Sequence, residues 1–263
     1  MLQAVGVSVV AGGTRILRNV SIGMRPGDLL AVIGPNGAGK STLLHALSGA
    51  RRPDTGETLL DGRPLRRWRP GDLARRRAVL AQTSVLTFPF RVLDLVLLGR
   101  SAFAGRASRT DDLRIAEAAL READALHLIE RTYSTLSGGE RQRVQFARVL
   151  AQIWPPDDSS HRGQGRYLLL DEPTNNLDIA HQHAIMAIAR RVCDVGVGVV
   201  AVLHDPNLAA ASCDRVCVMN AGEIVAEGPP ATVITEDLFA EVFGIRVTAL
   251  PHPIHGRPYF VPA

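Results

Sequence analysis

Apolar residues along this chain fall into two rhythms. Short unbroken apolar runs read as strands buried on both faces, and apolar residues recurring every third or fourth position read as helices with one face packed inward. Residues 29–33 (Leu-Leu-Ala-Val-Ile), 167–170 (Tyr-Leu-Leu-Leu) and 197–203 (Val-Gly-Val-Val-Ala-Val-Leu) are of the first kind. Leu43, Leu44 and Leu47 are of the second, with Gly49 where a helix-ending glycine belongs. So are Val144, Ala147, Leu150 and Ala151, in a helix running to about Gln152, and Ile185, Ile188 and Val192, in a helix over 178–192. Buried strands separated by helical stretches predict an α/β fold with a mostly parallel sheet.

Other stretches follow different patterns. Residues 1–30 alternate apolar and polar around Gly12-Gly13 and Pro26-Gly27-Asp28, which predicts an antiparallel sheet, and residues 56–62 add one more strand. From about 90 to 135 no strand signal appears; Leu113, Ala116, Leu120 and Ala123 follow one helical face behind Asp111-Asp112, which are expected to cap it. With the helix that follows, this predicts an inserted helical subdomain over about 90–150. Residues 154–165 read as a polar surface loop and 215–227 as a hairpin turning at Asn220-Ala221-Gly222. Pro206 is expected in the first turn of a short helix. The segment of about 228–263 contributes a last helix over 235–243, stopped by Gly244, and a proline-rich tail expected to be mostly extended. No repeat of 20–50 residues is present, so residues 1–263 are read as one domain.

Composition narrows the partners. The longest apolar run, near 195–203, is far short of the roughly 20 residues a membrane span needs. The first residues lack the basic and long apolar regions of a signal peptide, so a cytosolic chain is expected, with any membrane contact made through a partner. Cys193, Cys213 and Cys217 are read as reduced and structural. The net charge of +4 owes much to Arg63, Arg66, Arg67, Arg69, Arg75, Arg76 and Arg77. Trp68 is the only aromatic among them, so a solvated arginine-rich face is favoured and no nucleic-acid partner is expected.

The chemistry starts where the strand at 29–33 runs into Gly34-Pro35-Asn36-Gly37-Ala38-Gly39-Lys40-Ser41-Thr42. A glycine-rich turn between a buried strand and a helix lets consecutive N–H groups close around phosphate oxygens; Lys40 then reaches the outer phosphates and the Ser41 hydroxyl a Mg²⁺ ion. Asp171 closes an apolar strand, where a carboxylate that orders Mg²⁺ is expected, and Glu172 beside it is expected to point to the other side and polarise an attacking water. Gln82 ends another apolar run and is read as a ligand to Mg²⁺ and water; His204 ends a third and is read as a hydrogen-bond donor to a γ-phosphate. Ser137 and Glu140 form a capping box, and Gly138 and Gly139 leave that helix N-terminus open to an anion.

The order Lys40, Gln82, Ser-Gly-Gly-Glu at 137–140, Asp171-Glu172, Asp178 and His204 resembles the ATP-binding subunits of ABC transporters over nearly the whole chain. The resemblance implies ATP and Mg²⁺ as cofactors and makes 34–41 the phosphate loop, Gln82 the Q-loop, 136–142 the family signature, 176–178 the D-loop and His204 the switch histidine. It also implies a head-to-tail pair in which ATP on one phosphate loop is closed by Ser137, Gly138, Gly139 and Glu140 of a second copy. Two permease subunits, a periplasmic substrate-binding protein and a place on the cytoplasmic face of the bacterial inner membrane follow from the same likeness. Val-Phe-Gly-Ile at 242–245 and His-Asp-Pro-Asn-Leu-Ala-Ala at 204–210 resemble importers of iron-siderophore, haem and cobalamin; Ala151-Gln152-Ile153-Trp154 and Ile179-Ala180-His181-Gln182-His183 resemble the haem importers among them. His181 and His183 themselves are read as part of a surface helix face. The stretch 86–92 falls where the family receives the permease, so Phe88 and Phe90 are read either as exposed residues of a docking groove or as packed inside the helical subdomain. Soluble ABC ATPases of DNA repair carry long coiled coils and those of translation carry two such domains, neither of which is present; a non-ABC kinase would lack Ser-Gly-Gly-Glu. Two departures stand out. The adenine-stacking aromatic, expected near Val9, is missing, which implies weaker adenine discrimination, and Asn175-Asn176 replaces the small residue common in the D-loop.

Overall fold

The computed structural model describes residues 1–82, 88–155, 164–175, 177–252 and 257–263. A four-stranded and a six-stranded sheet carry most of the strands. Strands β1 (Leu2–Ala11), β2 (Thr14–Met24), β4 (Thr55–Leu60) and β5 (Arg63–Pro64) form an antiparallel sheet in the order β2-β1-β4-β5. Strands β3 (Leu29–Ile33), β6 (Arg77–Leu80), β7 (Arg166–Leu170), β8 (Val197–Val202), β9 (Arg215–Asn220) and β10 (Glu223–Gly228) form the central sheet in the order β10-β9-β3-β8-β7-β6. Every pairing in it is parallel except β9 with β10. The hairpin turns where the sequence predicts, with Ala221 and Gly222 both at positive φ as a tight two-residue turn requires.

Alternation along the buried strands separates two apolar layers. Leu29, Ala31 and Ile33 of β3, with Val197, Val199 and Ala201 of β8, face the helices; Leu30 and Val32, with Val200 and Val202, face the antiparallel sheet and α1 (Lys40–Ser48). A slip of one residue in either strand would exchange the layers, so the register is strongly specified. The helical side holds α3 (Val92–Leu98), α4 (Arg109–Glu122), α5 (Gly138–Ile153), α6 (Ile179–Asp194) and α7 (Pro206–Ser212), followed by α8 (Pro230–Val233) and α9 (Glu236–Leu238), whereas α2 (Pro70–Ala74) buries Leu73 in the other layer. α3, α4 and α5 pack together as the inserted helical piece.

Several expectations are corrected. The cap of α4 is Ser108, whose hydroxyl accepts the Asp111 N–H at 3.1 Å; Asp111 and Asp112 occupy the first turn, where their charge suits the helix dipole. Arg75, Arg76 and Arg77 are not a solvated face. Arg76 is buried and donates to Gly165 O at 2.7 Å and to Asp61, and its guanidinium lies 5.5 Å from the Trp68 ring. Burial holds the Arg77 guanidinium down to about 10. The last helix is three α residues followed by a π-helical turn over Phe239–Phe243, though Gly244 does stop it in the left-handed conformation. The tail is extended but paired, β11 (Val247–Pro251) lying antiparallel to β12 (Pro258–Pro262).

The three cysteines are free and buried, as read; burial pushes all three thiols up, Cys193 to about 12. Among the described residues no helix is long and apolar enough to cross a membrane. Of the two aromatics set aside for docking, Phe90 packs against the helical core and Phe88 is 64% exposed, the two rings 4.9 Å apart. Residues 86 and 87 lie outside the described residues, as does most of the loop at 154–165.

Candidate active site

The site forms because three parallel strands end on the same edge. β3 pairs Val32 with Val202 of β8, and β8 pairs Ala201 with Leu170 of β7. The residues that follow each strand, Gly34, Asp171 and His204, therefore emerge side by side at the carboxyl ends, where open α/β sheets bind ligands.

Gly34 and Gly39 are required by their surroundings. At φ 146° a Cβ on Gly34 would stand 2.1 Å from Met219 O, and at φ 98° one on Gly39 would stand 2.8 Å from Ile16 O. The loop is thus pressed between the β9–β10 turn and β2. Lys40, the only lysine in the sequence, is 5% exposed and donates from Nζ to Gly34 O at 2.8 Å and Pro35 O at 2.9 Å. Burial lowers the pKa of its ammonium, opposed by the nearby Glu172 and Asp171 carboxylates. A desolvated ammonium held only by carbonyls is ready to exchange them for phosphate oxygens. An acyl phosphate of ATP, which acylates an amine beside the phosphates, is expected to attach one acyl group per chain, at Lys40. Peptide mapping with and without excess ATP checks this; ATP-insensitive labelling would place the nucleotide elsewhere.

Ser41 Oγ donates to Asp171 Oδ1 at 2.9 Å. Asp171 is buried, and burial raises its carboxyl above the ordinary value, against the Ser41 hydrogen bond and His45. His45, one turn after Ser41 on the same face of α1, stands 3.8 Å from Asp171 Oδ2. Sequence reasoning missed it, although the i,i+4 spacing from Ser41 was the available signal.

Glu172 is the meeting point. Its carboxylate takes Gln82 Nε2 at 2.5 Å, Asn175 Nδ2 at 3.1 Å and His204 Nε2 at 2.9 Å. Alternation along a strand is not what separates it from Asp171. β7 ends at Leu170, and Glu172 sits at φ 49°, a left-handed conformation that costs a residue with a side chain and that recurs at functional sites. Gln82 thus lies with Glu172 rather than with Ser41 and Asp171. Asn175, one of the two departures in the D-loop, has a place here as a donor to the carboxylate; Asn176 lies outside the described residues.

The open helix N-terminus at 137–140 stands apart from the phosphate loop of its own chain, with no hydrogen bond or ion pair between them among the described residues. The capping box is present: Glu140 N–H donates to Ser137 Oγ at 3.4 Å and Ser137 N–H to Glu140 Oε2 at 2.7 Å. Two hydrogen bonds that sequence reasoning missed tie this region down. Gln142 Nε2 donates to Pro173 O at 3.0 Å, joining α5 to the Glu172 turn, and Gln145 Nε2 to the Tyr133 hydroxyl at 2.9 Å. Asp178 caps α6, accepting the His181 N–H at 2.9 Å, and lies 2.7 Å from His181 Nδ1. A Cβ on Gly139 would stand 2.8 Å from the His181 ring, so that ring packs on the signature helix rather than lining a plain surface face.

The adenine expectation is corrected in one respect. Val9 is fully buried between β1 and its neighbours, so a base cannot stack there and a tyrosine would overpack the core. The part of β2 that lies against the phosphate loop is Ile16-Leu17.

Fold and site define a P-loop nucleotide hydrolase with a helical insertion that presents a second, separate capped helix N-terminus. Comparison narrows the class. The ABC transporter family profile matches residues 17–175. The chain is 50% identical over 261 residues, 99% of its length and 96% of the relative's, to the hemin import ATP-binding protein HmuV of Myxococcus xanthus. It is 46% identical to the protein of the same name from Gloeobacter violaceus, over 100% of this chain and 94% of the relative. Among solved structures, an inward-facing ABC transporter described as of metal-chelate type superimposes with a TM-score of 0.80 at 25% identity, over 100% of this chain and 96% of that one. A dimeric bacterial ABC transporter cassette does so with a TM-score of 0.72 at 25% identity, over 88% and 99%. The chain belongs to the ABC transporter family, as one of its ATP-binding and ATP-hydrolysing chains.

Proposed function

We propose that two copies of this chain hydrolyse ATP between them to drive import of haem through a partner permease at the cytoplasmic face of a bacterial inner membrane. The observation that carries the paired arrangement is the separation of two half-sites. Lys40 and the phosphate loop have, among the described residues, only the N-terminus of α1 and no second helix end to close them, and the capped N-terminus of α5 has no lysine. A head-to-tail second copy would complete both, as a helix N-terminus completes an anion site. The cargo is argued from the haem-import names of relatives 44–50% identical over nearly the whole chain, and a periplasmic substrate-binding protein would deliver it.

The residues fit a Mg²⁺ ion. Asp171 and Ser41 offer hard oxygens 2.9 Å apart beside the phosphate loop, and an ion of this kind is commonly held by one or two protein oxygens together with substrate phosphates and water. When bound it would neutralise charge on the outer phosphates. Lys40 binds those phosphates, Glu172 takes the proton of the attacking water, and Gln82 and Asn175 hold Glu172 in place. His204 Nε2, 2.9 Å from Glu172 Oε1, orients the carboxylate, and its single N–H turns to the γ-phosphate when nucleotide is bound. Asp178, through the His181 ring on Gly139, holds the signature that meets the partner's nucleotide.

The test is purification with the permease and reconstitution into proteoliposomes. Haem with its binding protein is expected to raise ATP hydrolysis several-fold over the basal rate. Stimulation by a ferric siderophore or cobalamin instead would reassign the cargo, and hydrolysis with no permease association would favour a soluble ABC ATPase.

A further inference from the structure

The tail is more than a trailing segment. Asn207, in the first turn of α7, faces the backbone of Phe260 in β12: Asn207 Nδ2 donates to Phe260 O at 2.9 Å, and Phe260 N–H donates to Asn207 Oδ1 at 2.8 Å. One side-chain amide thus makes the pair of hydrogen bonds that a neighbouring strand would make. At the other end of α7, Arg257 Nη1 donates to Ala211 O at 2.7 Å. The ribbon is itself anchored, because Phe260 is 3% exposed and its ring centroid lies 4.8 Å from that of Phe239, which lies 5.3 Å from Phe243.

What the ribbon grips stands close to the chemistry. Asp205 caps α7 and accepts the Asn207 N–H at 2.8 Å, and His204 immediately precedes Asp205. The His204 side chain is half exposed, so little packing of its own fixes the ring that reaches Glu172 Oε1 at 2.9 Å. Its aim depends on the backbone that carries it. A helix of seven residues is too short to hold an orientation alone and takes it from what it packs against. From Phe260 to Glu172 the path is a side-chain amide, three residues of chain and one imidazole contact.

We propose that Asn207 is a positioning residue for His204, acting through the brace of the C-terminal ribbon. The proposal rests on the reading of His204 and Glu172 as hydrolytic partners. Breaking the Asn207–Phe260 link lets α7 shift on the sheet and turns the imidazole away from the carboxylate, without touching the phosphate loop.

The experiment measures steady-state ATP hydrolysis by the full-length chain and its thermal midpoint in Asn207→Ala, Asn207→Asp, Phe260→Ala, His204→Ala and the Asn207→Ala/His204→Ala double variant. Because a displacement on the order of 1 Å at a reacting group costs up to about 100-fold, Asn207→Ala is expected to lower kcat about 10-fold while KM for ATP stays within about twofold. Asn207→Asp keeps the oxygen that accepts the Phe260 N–H and is expected to fall between Asn207→Ala and the parent. Phe260→Ala is expected to reproduce the kcat loss from the ribbon side. The double variant is expected to be no slower than His204→Ala, since the effect runs through that ring. A purely structural role would lower the thermal midpoint and leave kcat unchanged below it. That outcome, or a double variant slower than His204→Ala, overturns the proposal while leaving the hydrolytic reading intact. Full activity in His204→Ala would instead remove the hydrolytic reading, and the proposal with it.

Discussion

Glu172→Gln is expected to bind ATP as tightly as the parent chain, to form an ATP-held dimer, and to hydrolyse ATP about 10²–10⁴-fold more slowly, the usual worth of a general base. The amide keeps the shape and cannot take the proton of water. It can still accept from Gln82 and Asn175 through one oxygen, while its NH₂ group faces His204, whose Nε2 accepts in the other tautomer. Binding is spared because the phosphate contacts belong to Lys40 and the loop. Removing a negative charge that faces the Lys40 ammonium does not weaken its hold on phosphate. Single-turnover phosphate release, with ATP affinity measured on the same preparation, checks both halves. Hydrolysis at more than a tenth of the parent rate would mean another group serves as base.

Ser137→Arg is expected to abolish ATP-driven dimerisation and leave binding of one nucleotide per chain unchanged. The Ser137 hydroxyl caps a 16-residue helix, and Gly138 beside it is exposed. Loss of the cap costs on the order of 1 kcal/mol of local stability, which the packing of Phe146, Val149 and Leu150 can absorb. The larger effect is at the mouth of the helix, where an arginine side chain fills the approach a partner's phosphate would need. The same chain's phosphate loop is untouched. Light scattering with ATP, in the Glu172→Gln background so that ATP persists, reads the dimer directly, and a retained ATP-dependent dimer would refute the shared site.

The outcome of each expectation follows from the range of the interaction behind it. The glycine-rich loop, the α5 capping box and the Asn220-Ala221-Gly222 turn each close within a short stretch of chain. Residue type at fixed spacing is enough to specify such features, because few conformations satisfy a cap or a glycine turn. The α4 cap failed by three residues for a local reason: Ser108 lies ahead of the two acids and supplies the better cap, while the acids serve in the first turn. Arg76 looked like surface because its partners, Asp61, Gly165 and Trp68, are brought to it by the fold rather than by neighbouring sequence. Val9 was matched to an adenine contact by counting back from the loop, whereas the pleat of β1 turns it into the core.

Read alone, the residue order was sufficient for the buried strands, the long helices, the glycine-rich turn and the family of the chain, since each rests on periodicity or on a short motif with one workable geometry. Tertiary structure alone decided that Gln82, Asn175 and His204 converge on Glu172 in its left-handed conformation, and that a tail expected to be merely extended is paired and braced on α7 through Asn207. Those contacts join residues up to 90 apart. The convergence on Glu172 exists only because the sheet places the ends of β6, β7 and β8 on one edge, an arrangement set by the summed burial of two apolar layers rather than by any local pattern.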